Sequence, residues 1–399
     1  MRAGLVALSA AAFLVSLDRS IFAPLLPAIA HDLGTTIGVA GLAVTAYVIP
    51  YGLFQLFYGP VADRAGKIAV VRWAVLVFAA STALCGLAPG IGLLNLLRAV
   101  TGACAAAVIP LALAYIGDVV PYDRRQGTVV TLMGVTALGT ALSTAVGGVV
   151  GNFLSWRWLF GLYGVCALSV SAALFLVPAG RAGAVAGATM GGWQRYGRVL
   201  RVGRARLLYL LVGLEGMFVQ GGFTYLGAYL QERFGLDYLA IGLLLAGYGA
   251  ATVVASRILR RFLRQVREED LVLGGGLLLA GGFLVLAPLP DWRLFPLAMV
   301  ALGTGFSFFH STLQVRATEL VPDLRGTAVA LFAFALFLGA GAGTAGLGWL
   351  ISVGGYTPLV VGCGAGLLLV TAAARVTWSR GRHPTCTAPT GEAVPVVRR

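Results

Sequence analysis

The stretch DVVPYDRRQGT at residues 118–128 returns, two residues shorter, as ELVPDLRGT at 319–327. An acid, Val, Pro, Arg, Gly and Thr recur in the same order, and each copy stands where one long apolar run gives way to the next. Gly34/Gly235, Tyr47/Tyr248, Gly102/Gly303 and Pro121/Pro322 all share one offset of 201 residues. Internal repetition decides the architecture before any motif is weighed. This chain reads as two copies of one unit in the same orientation.

The unit is a set of membrane helices. Of the 399 residues, 59% are hydrophobic and 11% charged, whereas a soluble chain is about 25% charged. A hydrocarbon core roughly 30 Å thick needs about 20 apolar residues per helix. Clusters of Gly, Pro and charge cut the sequence into twelve runs of that kind: 4–27, 38–62, 68–88, 91–116, 127–151, 158–177, 207–230, 238–258, 270–289, 294–318, 326–351 and 355–375. The alternating segments of about ten residues that mark a membrane barrel are not seen. The expected fold is therefore an all-α membrane protein with twelve transmembrane helices in two pseudo-symmetric six-helix bundles, 1–177 and 207–375. A basic linker at 178–206 joins them, and a polar tail with three prolines, 376–399, is expected to be disordered. The first run reads as a retained helix: it contains Asp18, Arg19, Pro24 and Pro27, whereas a cleavable signal has an uncharged apolar region of about 7 to 15 residues.

The net charge of +14 does not point to nucleic acid, because of where it sits. Between spans, basic residues gather on the side of the N-terminus, with only Arg157, Arg233 and Arg293 on the other; Arg19 and Arg98 lie within spans. The positive-inside rule then places both termini in the cytoplasm. In the linker, Arg195, Arg198, Arg201 and Arg204 recur every three residues. That spacing suits a short basic helix on the inner leaflet, or a flexible linker whose charge sets topology. Lys67 is the only lysine among 29 basic residues, a bias of GC-rich bacterial genomes and hence of a bacterial inner membrane. Cys85, Cys104, Cys166, Cys363 and Cys386 lack metal-ligand spacing and read as small packing residues.

A charge at a helix centre costs roughly 2.5 to 3.5 kcal/mol on insertion scales, so the intramembrane charges are the functional candidates. Asp18 and Arg19 sit together in FLVSLDRSIF, 13–22. Neighbouring residues on a helix point about 100° apart and do not face each other, so their partners must come from other helices or from cavity water. Arg98, in NLLRAVTGACAA (95–106), lies well inside its span and needs the same. Glu215, in LVGLEGMFVQGG (211–222), has no basic neighbour in its own span. Tyr47, Tyr51, Gln55, Asn95, Gln220, Tyr225, His310 and Gln314 are the candidate cavity lining around these charges. His310 reads either as a hydrogen-bonded packing residue or as a proton relay.

The second run ends YGPVADRAGK, 58–67. Gly59 permits close helix approach, Asp63 and Arg64 place opposite charges at a turn, and Gly66 can close it. Here the chain resembles the major facilitator superfamily. Gly59, Asp63, Arg64, Gly66 and Lys67 match its loop signature between the second and third helices, and Arg98 with Gly102 resembles its fourth-helix motif, with Thr101 replacing the usual glutamine. The resemblance implies alternating access around a central site lined by the first helix of each half. It also implies a loop that docks on the eleventh helix with Asp63 as a conformational latch, and an Arg98 tied to proton coupling. At the repeat offset, SRILRRFLRQVREED (256–270) has Arg264 in place of Asp63 and Arg260 in place of Gly59, so the latch reads as one-sided.

In the fifth span, GTALSTAVGG (139–148) occupies the place of the antiporter branch's glycine-rich signature, but Ser143 and Thr144 replace its Gly-Pro pair. The implied function is that of the drug:proton antiporter branch, export of a small amphipathic organic molecule in exchange for protons. The alternative is proton symport or uniport of a nutrient. Asp18, Arg19, Arg98 and Glu215 would form the coupling set, with Glu215 as the proton carrier and Asp18 as the acid that meets a cationic group. The reading includes no catalytic residue, cofactor or metal site and no enzyme activity. Its partners are a small molecule, protons and the lipid bilayer around a monomer.

Overall fold

The structure, a computed structural model, describes residues 2–178, 192–262 and 266–379. Among these residues it is helical throughout, without a strand. The first span is α1 (Arg2–Asp18) and α2 (Phe22–Asp32); the second and third are α3 (Ile37–Ala65) and α4 (Lys67–Cys85). The fourth is α5 (Ile91–Ala105) with α6 (Val108–Val119), followed by α7 (Tyr122–Phe153) and α8 (Trp156–Phe175). A short linker helix, α9 (Gly192–Arg201), precedes the seventh span: α10 (Gly203–Glu215), a π-turn, α11 (Gly221–Phe223) and α12 (Leu226–Phe234). The last five are α13 (Tyr238–Phe262), α14 (Glu268–Leu284), α15 (Phe295–Glu319), α16 (Arg325–Gly354) and α17 (Tyr356–Ser379). The rest of the linker, Arg264 and the tail beyond Ser379 lie outside the described residues.

Among the described residues ten spans are long and apolar enough to cross a bilayer, and the first, bent by 57° after Asp18, makes an eleventh. The ninth, α14, has 17 residues and carries Glu268, Glu269 and Asp270 in its first turn, where negative charge suits the helix dipole. Large apolar side chains such as Leu96, Val165, Leu297, Trp349 and Leu369 lie exposed on the outside, the surface of a bundle bathed in lipid.

Three spans expected to be continuous are broken, each for a local reason. Pro24 cannot return an N–H to the carbonyl of Ser20, and Ala23 takes that carbonyl in a tighter turn at 3.3 Å. Pro110 likewise deprives Ala106 of its helical donor between α5 and α6. In the seventh span the helix widens into a π-turn over Gly216–Gln220, directly after Glu215 and between glycines that allow it.

The repeat is visible in the packing. Gly102 lies where a Cβ would come within 2.1 Å of the Tyr47 carbonyl oxygen, and Gly303 where one would come within 2.4 Å of that of Tyr248. Gly34 and Gly235, at φ +59° and +65°, end the first and seventh spans in the same left-handed turn. The two bundles meet along second against eleventh span and fifth against eighth. Gly38 packs on Gly348, Gly52 on Phe337, Gly148 on Gly242, Gly249 on Ala141 and Gly227 on the Ala23 carbonyl. Gly59, Gly127, Gly134 and Gly326, on the side bearing the N-terminus and α9, have nothing within 4 Å of where a Cβ would stand.

This contrast makes a prediction. Gly102→Ala must push α5 off the α3 backbone and should cost roughly 1 to 3 kcal/mol, read as a lower unfolding midpoint in detergent. Gly59→Ala, with nothing to meet, should leave the midpoint unchanged or raise it; equal loss in both variants would contradict the packing.

Candidate functional site

The broken first span decides where its two charges go. At the end of α1, Asp18 turns into the N-terminal bundle and meets Arg98 of α5. One guanidinium nitrogen donates to both carboxylate oxygens, at 3.0 and 2.8 Å. Both side chains are buried, at 0% and 1% exposure. The guanidinium is sandwiched by aromatic faces, its carbon 4.2 Å from the Tyr47 ring centre and 4.5 Å from that of Phe22. The close passage of Gly102 over Tyr47 brings α5 near enough for this. Carbonyls at the end of α1 are held from neighbouring spans: the Ser143 hydroxyl donates to Leu17 and the Tyr163 hydroxyl to Leu14.

The corresponding break in the second bundle carries a different pair. Glu215, fully buried at the end of α10, faces His310 of α15, whose Nδ1 lies 3.2 Å from each carboxylate oxygen. The imidazole stacks on Phe306 at 4.6 Å and meets Phe332 edge-on at 5.2 Å. Guanidinium holds its charge at any physiological pH, whereas imidazole titrates there. Asp18 thus faces a guanidinium and Glu215 an imidazole.

A sequence profile of the Major Facilitator Superfamily matches residues 8–344. The chain belongs to that superfamily. Over 406 aligned residues it is 29% identical to the puromycin resistance protein pur8 of Streptomyces alboniger, covering 86% of this chain and 80% of that protein. It is 28% identical over 326 residues to a chloramphenicol resistance protein of Streptomyces lividans, with coverage of 81% and 82%. In fold it is similar to a bacterial homologue of the human lysosomal transporter Spinster, solved inward-facing and unoccupied. The TM-score is 0.78 at 17% identity, over 96% of this chain and 98% of that one.

Other residues expected from the superfamily resemblance fall in several places. Gly66, at φ +88°, closes a one-residue turn between α3 and α4 as expected. Lys67 pairs with Asp118 at the end of α6. Asp63 and Arg64 are exposed and carry no ion pair among the described residues. Gly59, expected to allow close approach, has none in this conformation. The end of α3 is instead covered by α9: Tyr196 donates to the Leu56 carbonyl at 3.0 Å and Trp193 packs edge-on against Phe57.

Of the expected cavity lining, Tyr51 is buried, stacks on Tyr47 and meets Phe337 of the other bundle at 4.6 Å. Gln55 is half-buried one turn further on, and Gln220 lines a small cavity between the bundles. The Oδ1 of Asn95 is buried without a hydrogen-bond partner among the described residues. Gln314 is exposed one turn beyond His310.

Three expectations change. Tyr225 is a packing residue, its hydroxyl donating to the Thr344 carbonyl at 2.6 Å against Gly41. Glu215 is not unpaired, because His310 reaches it from another span. Asp18 is enclosed by Arg98 and does not line the cavity between the bundles. The sequence reading did not include Phe223 and Phe337, which line the cavity between the bundles, or Tyr248, Phe306 and Phe332, which pack on Phe223 and around His310. Tyr248 was within reach, since the repeat maps it onto Tyr47.

Proposed function

We propose that this chain is a secondary active exporter that carries a small amphipathic organic molecule out of the cell in exchange for protons. The observation that carries the reading is the asymmetry of the two buried acids: Asp18 is held by a permanent cation, whereas Glu215 has only a titratable partner. Glu215 is then the residue that loads and releases the proton, and Asp18–Arg98 braces the break in the first span. The antibiotic resistance named in two relatives supports export. In this reading the side bearing α9 is cytoplasmic. Arg198→Cys should accordingly resist an impermeant thiol reagent in intact cells; labelling from outside would reverse the orientation.

Everted membrane vesicles test the coupling. With the lumen acidified, an antiporter accumulates substrate inside and raises lumenal pH when a substrate is added; puromycin and chloramphenicol are the first compounds to try. Depletion of preloaded substrate on acidification would instead indicate symport, the reading favoured by Ser143–Thr144 in place of Gly-Pro. For Asp63, exposed and without an ion pair among the described residues, we expect the latch to act in another state of the cycle. Asp63→Asn should slow turnover severalfold with substrate affinity unchanged, and normal turnover would leave it a solvated turn.

A further inference from the structure

With Asp18 on Arg98 and Glu215 on His310, Arg19 of the first span is without an ion pair among the described residues. Arg19, in the break that follows Asp18, lines the space between the bundles. Its guanidinium lies 5.8 Å from the ring centre of Phe337 on α16. Its Nε is buried without a hydrogen-bond partner among the described residues. No acid among the described residues comes within ion-pair distance of it: Asp18, Asp32, Asp118, Glu215 and Glu268 all pair with other cations. A cavity of about 30 Å³ lies at this point, room for a few waters at most, so an organic ligand enters only as the bundles move apart around it. Arg19 and Ser20 of the first span, Gln220 and Thr224 of the seventh, and Phe337 and Thr344 of the eleventh line it, so it belongs to both bundles.

A permanent cation in a low-dielectric interior is costly unless an anion meets it. We infer that the site between the bundles takes an organic anion, a carboxylate on an aromatic or alkyl body, with Arg19 as its counter-ion. The chemistry around Arg19 suits such a ligand. Guanidinium presents a planar fork that matches a carboxylate, and Gln220 adds an amide donor. Thr224 and Thr344 spend their hydroxyl protons on their own helices, donating to Gln220 and Ala340 carbonyls at 3.0 and 2.9 Å. Phe22, Phe223 and Phe337 of the lining supply rings for the apolar body. The start of α2, a broken-helix N-terminus beside Arg19, adds field of the same sign. Asp18, the acid that the sequence offered to a cationic ligand, is closed off by Arg98. The inference rests on the transport reading for its purpose but stands on binding alone.

The test uses purified full-length protein in zwitterionic nanodiscs with no pH gradient. The probes share one skeleton: 1-naphthylacetate, its amide, and 1-naphthylmethylamine. The wild type should bind the acid saturably, at least about tenfold tighter than the amide, with the amine weakest. Arg19→Gln should remove that preference, while Arg19→Lys should keep the acid ahead of the amide. Gln220→Leu, which leaves Arg19 in place, should weaken the acid more than the amide and serves if Arg19→Gln fails to fold. Acid affinity unchanged in Arg19→Gln, or a wild type in which the acid is not the preferred probe, overturns the inference and leaves Arg19 to an internal acid in another conformation. Glu215→Gln should still bind the acid, so loss of coupling and loss of the anion site are separate results.

Discussion

Arg98→Met is expected to destabilise the protein by roughly 3 to 5 kcal/mol, because it leaves the Asp18 carboxylate buried without its cation. The carboxylate has 0% exposure, and the other bases named here are turned elsewhere: Arg157 is engaged with Asp32 at 2.9 Å, Lys67 with Asp118, and Arg19 lies against Phe337 of the other bundle. Asp18→Asn alone should also be costly, since it leaves the guanidinium, clamped between Tyr47 and Phe22, without its charge partner. The double variant Asp18→Asn, Arg98→Gln keeps volume and lets two amides bond each other, so it should recover most of the loss. The measurement is the unfolding midpoint in detergent together with the yield of monodisperse protein. A double variant as unstable as Arg98→Met would show that the residues act separately, and a harmless Arg98→Met would show that the pair contributes nothing to the fold.

The twelve spans and the doubling of the chain were legible because each rests on local pattern. An apolar run of about 20 residues admits few readings, and Gly34/Gly235 or Tyr47/Tyr248 need only alignment to be seen. Partnerships were not legible. Asp18, Arg98 and Glu215 were each recognisable as charges needing a partner, but Arg98 lies 80 residues from Asp18 and His310 lies 95 from Glu215. Nothing in one sequence says which of two interior bases meets which acid. Helix breaks were partly readable: Pro24 and Pro110 remove definite hydrogen bonds, whereas the π-turn after Glu215 depends on glycines that also serve tight packing elsewhere. Aromatic residues were the least decidable. Tyr225 and Tyr248 look alike in sequence, and only the position of Gly41 and Thr344 fixes one by its hydroxyl while the other packs on Phe223. The latch loop showed its turn through Gly66, but whether Asp63 is engaged depends on the conformation adopted.

Glu215→Gln should abolish proton-driven accumulation while leaving exchange of substrate between two sides at equal pH. Glutamine preserves the shape and can still hydrogen-bond to His310 Nδ1, so the break in the seventh span and the stacking on Phe306 should survive. What is lost is the negative charge that makes a proton, or a protonated imidazole, worth holding. In everted vesicles each pH unit can sustain up to about a tenfold accumulation per proton exchanged, and the variant should fall from that ratio to simple equilibration. His310→Asn offers an independent reading, since it keeps the carboxylate and removes its titratable partner. It should retain some accumulation with an altered pH dependence, because Glu215 can still bind and release a proton without imidazole. If Glu215→Gln still built a full gradient, the proton would have to travel elsewhere, and the remaining buried acid is Asp18. Asp18 could serve only by releasing Arg98 during the cycle, which would turn the brace of the first span into the coupling element and reduce Glu215 to a packing acid held by His310.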